Sequence, residues 1–242
     1  MIIEEDTTNE GAFNPRSRLQ LNKLRQVAKI RVDHIGLSTS LEIMEDRNAL
    51  ITVEKQNIIS LWDLDYFKKI SSTKLYCYWI SGIHYCPSKA CLFVGTSSDL
   101  KLYHVTKQNS LVLMKTIPVY VVYAFLILEE YSLVVTSSGD GTILLWDLNH
   151  LTEGKPILSN SLNRCGNSLL FLQKFKSIAI GFNDGSISIY SLEKDREITS
   201  MRASQFKRIS EWSFNEKSDT LFIKMDPDTF GCWRYDGETL FI

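Results

Sequence analysis

The chain has 242 residues, 44% of them apolar, enough to bury the core of one large domain or two small ones. Lys and Arg together number 27 and Asp and Glu 28, a formal net charge of −1. That balance excludes a global electrostatic pull toward nucleic acid or anionic lipid.

Met1 to Glu10 is acidic and polar, where a secretory signal would be basic and then apolar. Met1 to Pro15 has no periodicity and is expected to be disordered. Residues 16–31 carry Arg16, Arg18, Lys23, Arg25, Lys29 and Arg31 with no acid among them. Two readings fit: an arm for nucleic acid or an acidic partner, or a half-buried element with a solvated basic face. Leu19, Leu21, Leu24, Val27 and Ile30 are interleaved with the cations and favour the second. Further on, the longest apolar run, Val119 to Leu128, falls well short of the roughly 20 residues of a membrane span and reads as a buried strand. The five cysteines, Cys77, Cys86, Cys91, Cys165 and Cys232, are odd in number and contain no CxxC pair. This points away from a disulfide framework and toward a reducing intracellular compartment, cytoplasmic or nuclear.

From residue 57 onward one pattern recurs: a turn, a short alternating run, then an aromatic. The five instances are Asn57-Ile-Ile-Ser-Leu-Trp62-Asp63, Asp99-Leu-Lys-Leu-Tyr103-His104, Gly141-Thr-Ile-Leu-Leu-Trp146-Asp147, Gly185-Ser-Ile-Ser-Ile-Tyr190-Ser191 and Thr229-Phe-Gly-Cys-Trp233-Arg234. Their aromatics fall at 62, 103, 146, 190 and 233, in steps of 41, 43, 44 and 43. Within the third period, strands are predicted at 123–128, 131–136, 142–147 and 155–158. In the fourth they are predicted at 168–172, 177–181, 186–191 and 197–201. Asp140-Gly141 and Asp184-Gly185 mark hairpin turns, because their central residues tolerate positive φ. Four short antiparallel strands per period make one propeller blade.

Ser137-Ser-Gly-Asp140-Gly141-Thr-Ile-Leu-Leu-Trp146-Asp147-Leu148 resembles the signature of a WD40 repeat, whose period is about 40–45 residues. The run from Asn57 to Leu64 resembles it too, and Asn183 to Tyr190 is a variant. The resemblance covers roughly Asp33 to Ile242. It implies an all-β, WD40-type β-propeller over residues 23–242, preceded by an arm at 1–22. The sequence departs from the family pattern in places. The Gly-His pair appears at best once, around His34, and the tight-turn aspartate only at Asp140 and Asp184. Since no repeat carries the whole buried His–Ser/Thr–Asp–Trp network of the family, rigidity is expected to come mainly from apolar packing. Five repeats leave two closures open. The ring closes at five, with 24–32 completing the last blade, or a further segment or subunit supplies missing blades.

Trp62, Trp146 and Trp233, with Tyr103 and Tyr190, recur at one blade position, which marks blade-core aromatics rather than a ligand cage. Asp63 and Asp147 follow two of the tryptophans. His84, Cys86 and Cys91 have no fourth ligand and no standard zinc spacing. Gly139-Asp140-Gly141 belongs to no phosphate loop, and no Gly-x-Ser-x-Gly elbow accompanies the four histidines. No catalytic, metal or cofactor site is therefore assigned. The expected function is a non-enzymatic scaffold that binds other proteins within a larger assembly, with nucleic-acid recognition through residues 16–31 as the alternative. Carrying the family's rim loops onto this sequence gives Trp79, Tyr120, Arg164, Asn183 and Asp226 as candidate partner contacts.

Overall fold

A computed structural model describes residues 40–159, 164–203, 207–225 and 229–241. The proposed arm at 1–22, the segment 24–32, His34 and Asp226 lie outside the described residues. Within them are twenty strands in five four-stranded antiparallel sheets. The first blade is β1 (Leu41–Met44), β2 (Ala49–Glu54), β3 (Ile58–Asp63) and β4 (Lys68–Lys74). The second is β5 (Ile80–Cys86), β6 (Cys91–Thr96), β7 (Leu100–Val105) and β8 (Leu111–Ile117). The third is β9 (Val122–Leu128), β10 (Leu133–Ser138), β11 (Thr142–Asp147) and β12 (Gly154–Ser159). The fourth is β13 (Gly166–Leu172), β14 (Ser177–Phe182), β15 (Ser186–Ser191) and β16 (Arg196–Arg202). The fifth is β17 (Ile209–Asn215), β18 (Thr220–Met225), β19 (Thr229–Tyr235) and β20 (Leu240–Phe241).

Two local devices shape a blade. Between second and third strands, Gly141 (φ 85°) and Gly185 (φ 80°) take the left-handed conformation that a tight hairpin needs. Between first and second strands, blades 1 to 4 carry a three-residue 3-10 turn closed by a left-handed residue: Asn48, Ala90, Ser132 or Lys176. This second device corrects one expected boundary. A strand predicted from Tyr131 begins instead at Leu133, because Glu129–Tyr131 forms the turn and Ser132 breaks the extended run.

Successive first strands pack beside one another in the order β1, β5, β9, β13, β17, so they lie innermost. Alternation then divides each blade's side chains between its two faces. One face meets the preceding blade: Leu92 lies opposite Tyr103, Val134 opposite Trp146, Ile178 opposite Tyr190 and Leu221 opposite Trp233. The other face meets the following blade through Ile59, Leu100, Ile143 and Ile187, all 0% exposed. Four apolar clusters result, each spanning two consecutive blades. Burying a side chain of this size contributes about 1.5–3 kcal/mol, so these interfaces hold the blades in series. No such cluster joins blade 5 to blade 1 among the described residues.

Candidate functional site

Inner strands line a channel. Its walls are Ser81 to His84 of β5, Tyr123 to Ile127 of β9, Asn167 to Leu169 of β13 and Ser210 to Trp212 of β17. At one mouth the channel widens into a recess of about 730 Å³, bordered by the β2–β3 turn of blade 1, the loop before β5, and Tyr123, Asn167 and Glu211. The loop before β5 is held from both sides. Asn57 donates from Nδ2 to the Cys77 carbonyl at 2.6 Å, and its own carbonyl accepts from the Leu75 amide at 2.9 Å. Ser97 accepts from the Tyr78 amide through Oγ at 3.1 Å and donates its amide to the Trp79 carbonyl at 3.1 Å. A loop tied at four points presents Tyr76, Tyr78 and Trp79 without much freedom to lose. All three side chains are exposed. Ser81 and Asn167 border both the channel and the recess, and their Oγ and Nδ2 atoms are buried with no hydrogen-bond partner among the described residues.

Of the expected rim residues that are described, Trp79 alone borders this recess. Tyr120 is exposed elsewhere, and its carbonyl accepts from the Gly139 amide at 2.8 Å and from Ser138 Oγ at 2.5 Å. Arg164 donates to Ser186 Oγ (2.8 Å) and Ser188 Oγ (3.0 Å), and its guanidinium lies 3.8 Å over the Phe182 ring. Burial lowers its pKa from the ordinary arginine value. Asn183 is exposed and bonds in both directions to the Cys165 backbone at 3.0 Å. The sequence did not single out Tyr76, Tyr78, Asn57, Ser81 or Asn167. The aromatic run Tyr76-Cys77-Tyr78-Trp79 was the available signal.

The repeat positions carry local structure. Trp62 and Trp146 donate from Nε1 to Thr52 Oγ1 (2.8 Å) and Thr136 Oγ1 (2.9 Å). Tyr190 donates to Asp195 at 2.5 Å, and burial, then this carboxylate, push its hydroxyl well above the usual tyrosine range. Burial likewise raises Tyr103. Trp233 is buried with its Nε1 unpartnered among the described residues. Asp63 accepts from the amides of Asp65 and Tyr66, and Asp147 from that of Asn149. Asp140 and Asp184 accept from the amide and hydroxyl two residues on. Cys86 and Cys91 face each other across β5 and β6, and burial raises both thiols. His84 Nδ1 lies 3.5 Å from Glu42 Oε1. Among the described residues, no three His, Cys, Asp or Glu side chains converge as metal ligands would.

No family model matches the chain, and no curated protein does. Solved structures do match. One is the β-propeller domain of Cps50 (Swd1) from Myceliophteria thermophila, with a TM-score of 0.65 over 89% of this chain and 73% of that one. The chain folds as a β-propeller. At 13% identity the likeness shows the propeller fold alone. Among the described residues of this propeller no helix is long and apolar enough to cross a membrane.

Proposed function

We propose that this propeller is a non-enzymatic scaffold, a subunit of a larger assembly, which holds a protein partner against the recess at Trp79. The observation that carries this reading is the tethered aromatic loop at the mouth of the recess. Aromatic side chains dominate protein interfaces because they bury large areas at small entropic cost. Strands fix the loop from beneath, so little order has to be imposed on binding. Propeller folds host many functions, and the recess, rather than the fold, supports this one.

Affinity purification of the intact protein from its native cell, with nuclease treatment, tests the proposal. The expected result is one or more stoichiometric proteins that survive nuclease. Trp79→Ala should weaken recovery by about tenfold or more, the usual cost of removing an anchor residue. Loss of every partner on nuclease treatment, with steep salt dependence, would favour the alternative use of residues 16–31 on nucleic acid.

A further inference from the structure

An outer strand leaves a row of N–H and C=O groups that invites a further strand unless its side chains discourage one. Among the described residues, β4, β8, β12 and β16 each have such an edge with no strand beside it. Three of the four carry the discouragement. β4 holds Lys68, Lys69 and Lys74, β12 holds Lys155 and Pro156, and β16 holds Arg196, Glu197 and Arg202. β8, Leu-Val-Leu-Met-Lys-Thr-Ile, has Lys115 alone. Its middle residues Val112, Leu113 and Met114 are consecutive and are 52%, 50% and 60% exposed. Single exposed apolar residues are ordinary on a surface, whereas three in a row along an open edge are not. Blade 2 has all four of its strands, and so have blades 1 and 3 on either side of it. The bareness of β8 is therefore its own.

β8 offers apolar surface on both faces. Val112 lies opposite His104, Leu113 opposite Tyr103, and a bulge inserts Met114 between Leu113 and Lys115. The same bulge recurs in blades 1, 3 and 4, so side chains rather than backbone set β8 apart. Charge names the occupant. Lys107 stands in the β7–β8 turn. Lys89 Nζ donates to Asn149 Oδ1 at 2.8 Å and Lys115 Nζ to the His150 carbonyl at 2.7 Å, both neutral oxygens. None of these three lysines forms an ion pair among the described residues. The neighbouring acids are engaged: Asp147 holds His150 Nδ1 at 2.8 Å, and Asp46 holds Arg47, which bonds the same β7–β8 turn. In an antiparallel pair of β8 edges, this cationic end would meet the stretch from Thr116 to Pro118 of the second copy, which has no acid.

We propose that the outer edge of β8 takes an extended segment of a partner protein, apolar in its middle and acidic at the end that meets the β7–β8 turn. The segment adds to blade 2 as a fifth strand, held by main-chain hydrogen bonds. Its side chains cover Val112 on one face and Leu113 on the other, and its carboxylates meet Lys107, Lys89 and Lys115. This surface is separate from the Trp79 recess and stands or falls independently of it.

Met114 reports occupancy. Hydrogen peroxide converts an accessible thioether to the sulfoxide and is itself reduced to water. Oxidation of the full chain is followed at each methionine by mass spectrometry. In the protein alone, Met114 should oxidise far faster than buried Met44 and Met225. The probe is a synthetic peptide, Glu-Glu-Thr-Val-Leu-Val-Thr-Glu-Glu, which carries acid at its leading end in either direction, with a counterpart in which lysine replaces each glutamate. At saturation the acidic peptide should slow Met114 oxidation by about tenfold and slow amide exchange along β8, and the lysine peptide should do neither. Val112→Asn should weaken this protection. Should that variant unfold by circular dichroism, the double variant Lys107→Glu, Lys115→Glu supplies the second arm, with protection passing to the lysine peptide. Three results would overturn the proposal. They are slow oxidation of Met114 at every protein concentration, meaning the chain covers its own edge; slow oxidation only at high concentration with dimers in sedimentation, meaning a second copy does; and oxidation indifferent to the acidic peptide.

Discussion

At the residue scale, one hydroxyl separates the tryptophan blades from one another. Thr52 and Thr136 stand on the second strand where Trp62 and Trp146 can reach them. The same place holds Val94 and Ile180 in the tyrosine blades, and Ile223 in blade 5. Trp233 thus has an indole N–H with no acceptor among the described residues. The threonine–tryptophan bond is therefore an independent local stabiliser rather than a requirement of the blade. Thr136→Val should destabilise the protein by about 1–3 kcal/mol, because it leaves the Trp146 N–H buried and unsatisfied. In a Trp146→Phe background the same change should cost far less, since no donor remains to be orphaned. Chemical denaturation of the four proteins measures this. Equal costs in both backgrounds would show that the bond contributes nothing.

At the element scale, the β10–β11 and β14–β15 hairpins depend on ionised aspartates. Burial alone would raise the Asp140 carboxyl. The hydroxyl and amide of Thr142 outweigh it and hold the pKa below the usual carboxylate range. Asp184 follows the same logic with Ser186, aided by Arg164 and Arg202. A carboxyl that ionises more easily folded than unfolded stabilises the fold above its unfolded pKa, about 3.9 for aspartate, and loses that contribution as pH falls through the folded value. The thermal midpoint should therefore drop as pH is lowered below about 4. The double variant Asp140→Asn, Asp184→Asn should be less stable at neutral pH and show a shallower drop. Thermal melts from pH 7 to pH 3 measure both; an unchanged acid slope would exclude these two carboxyls. These hairpins were also the most legible part of the sequence. β11 and β15 were predicted to the residue, because alternation and Asp-Gly act together there. The turns before β2, β6, β10 and β14 were not legible. Their left-handed positions are occupied by Asn48, Ala90, Ser132 and Lys176, which share no side-chain chemistry, so the signal lies in tertiary geometry.

At the scale of the whole molecule, packing is sequential. Each blade buries its apolar face on the next, and the last blade has no such neighbour among the described residues. Blade 1 shows the matching deficit. Leu41 and Ile43 are 65% and 56% exposed, while Tyr85 and Ile127, equivalent to Ile43, are buried. The sequence could not reveal this, because the exposed Phe222 and Phe230 of blade 5 read like any core position and exposure depends on what stands beside the blade. Trp79 was legible as an aromatic in a loop. The recess around it was not, since its walls come from five separate blades. Residue-resolved hydrogen exchange of the purified full chain tests this architecture most directly. The third strands of blades 1 to 4 should be protected throughout, by orders of magnitude over open backbone. Exchange of these strands as fast as open backbone would contradict a propeller built on four buried interblade interfaces.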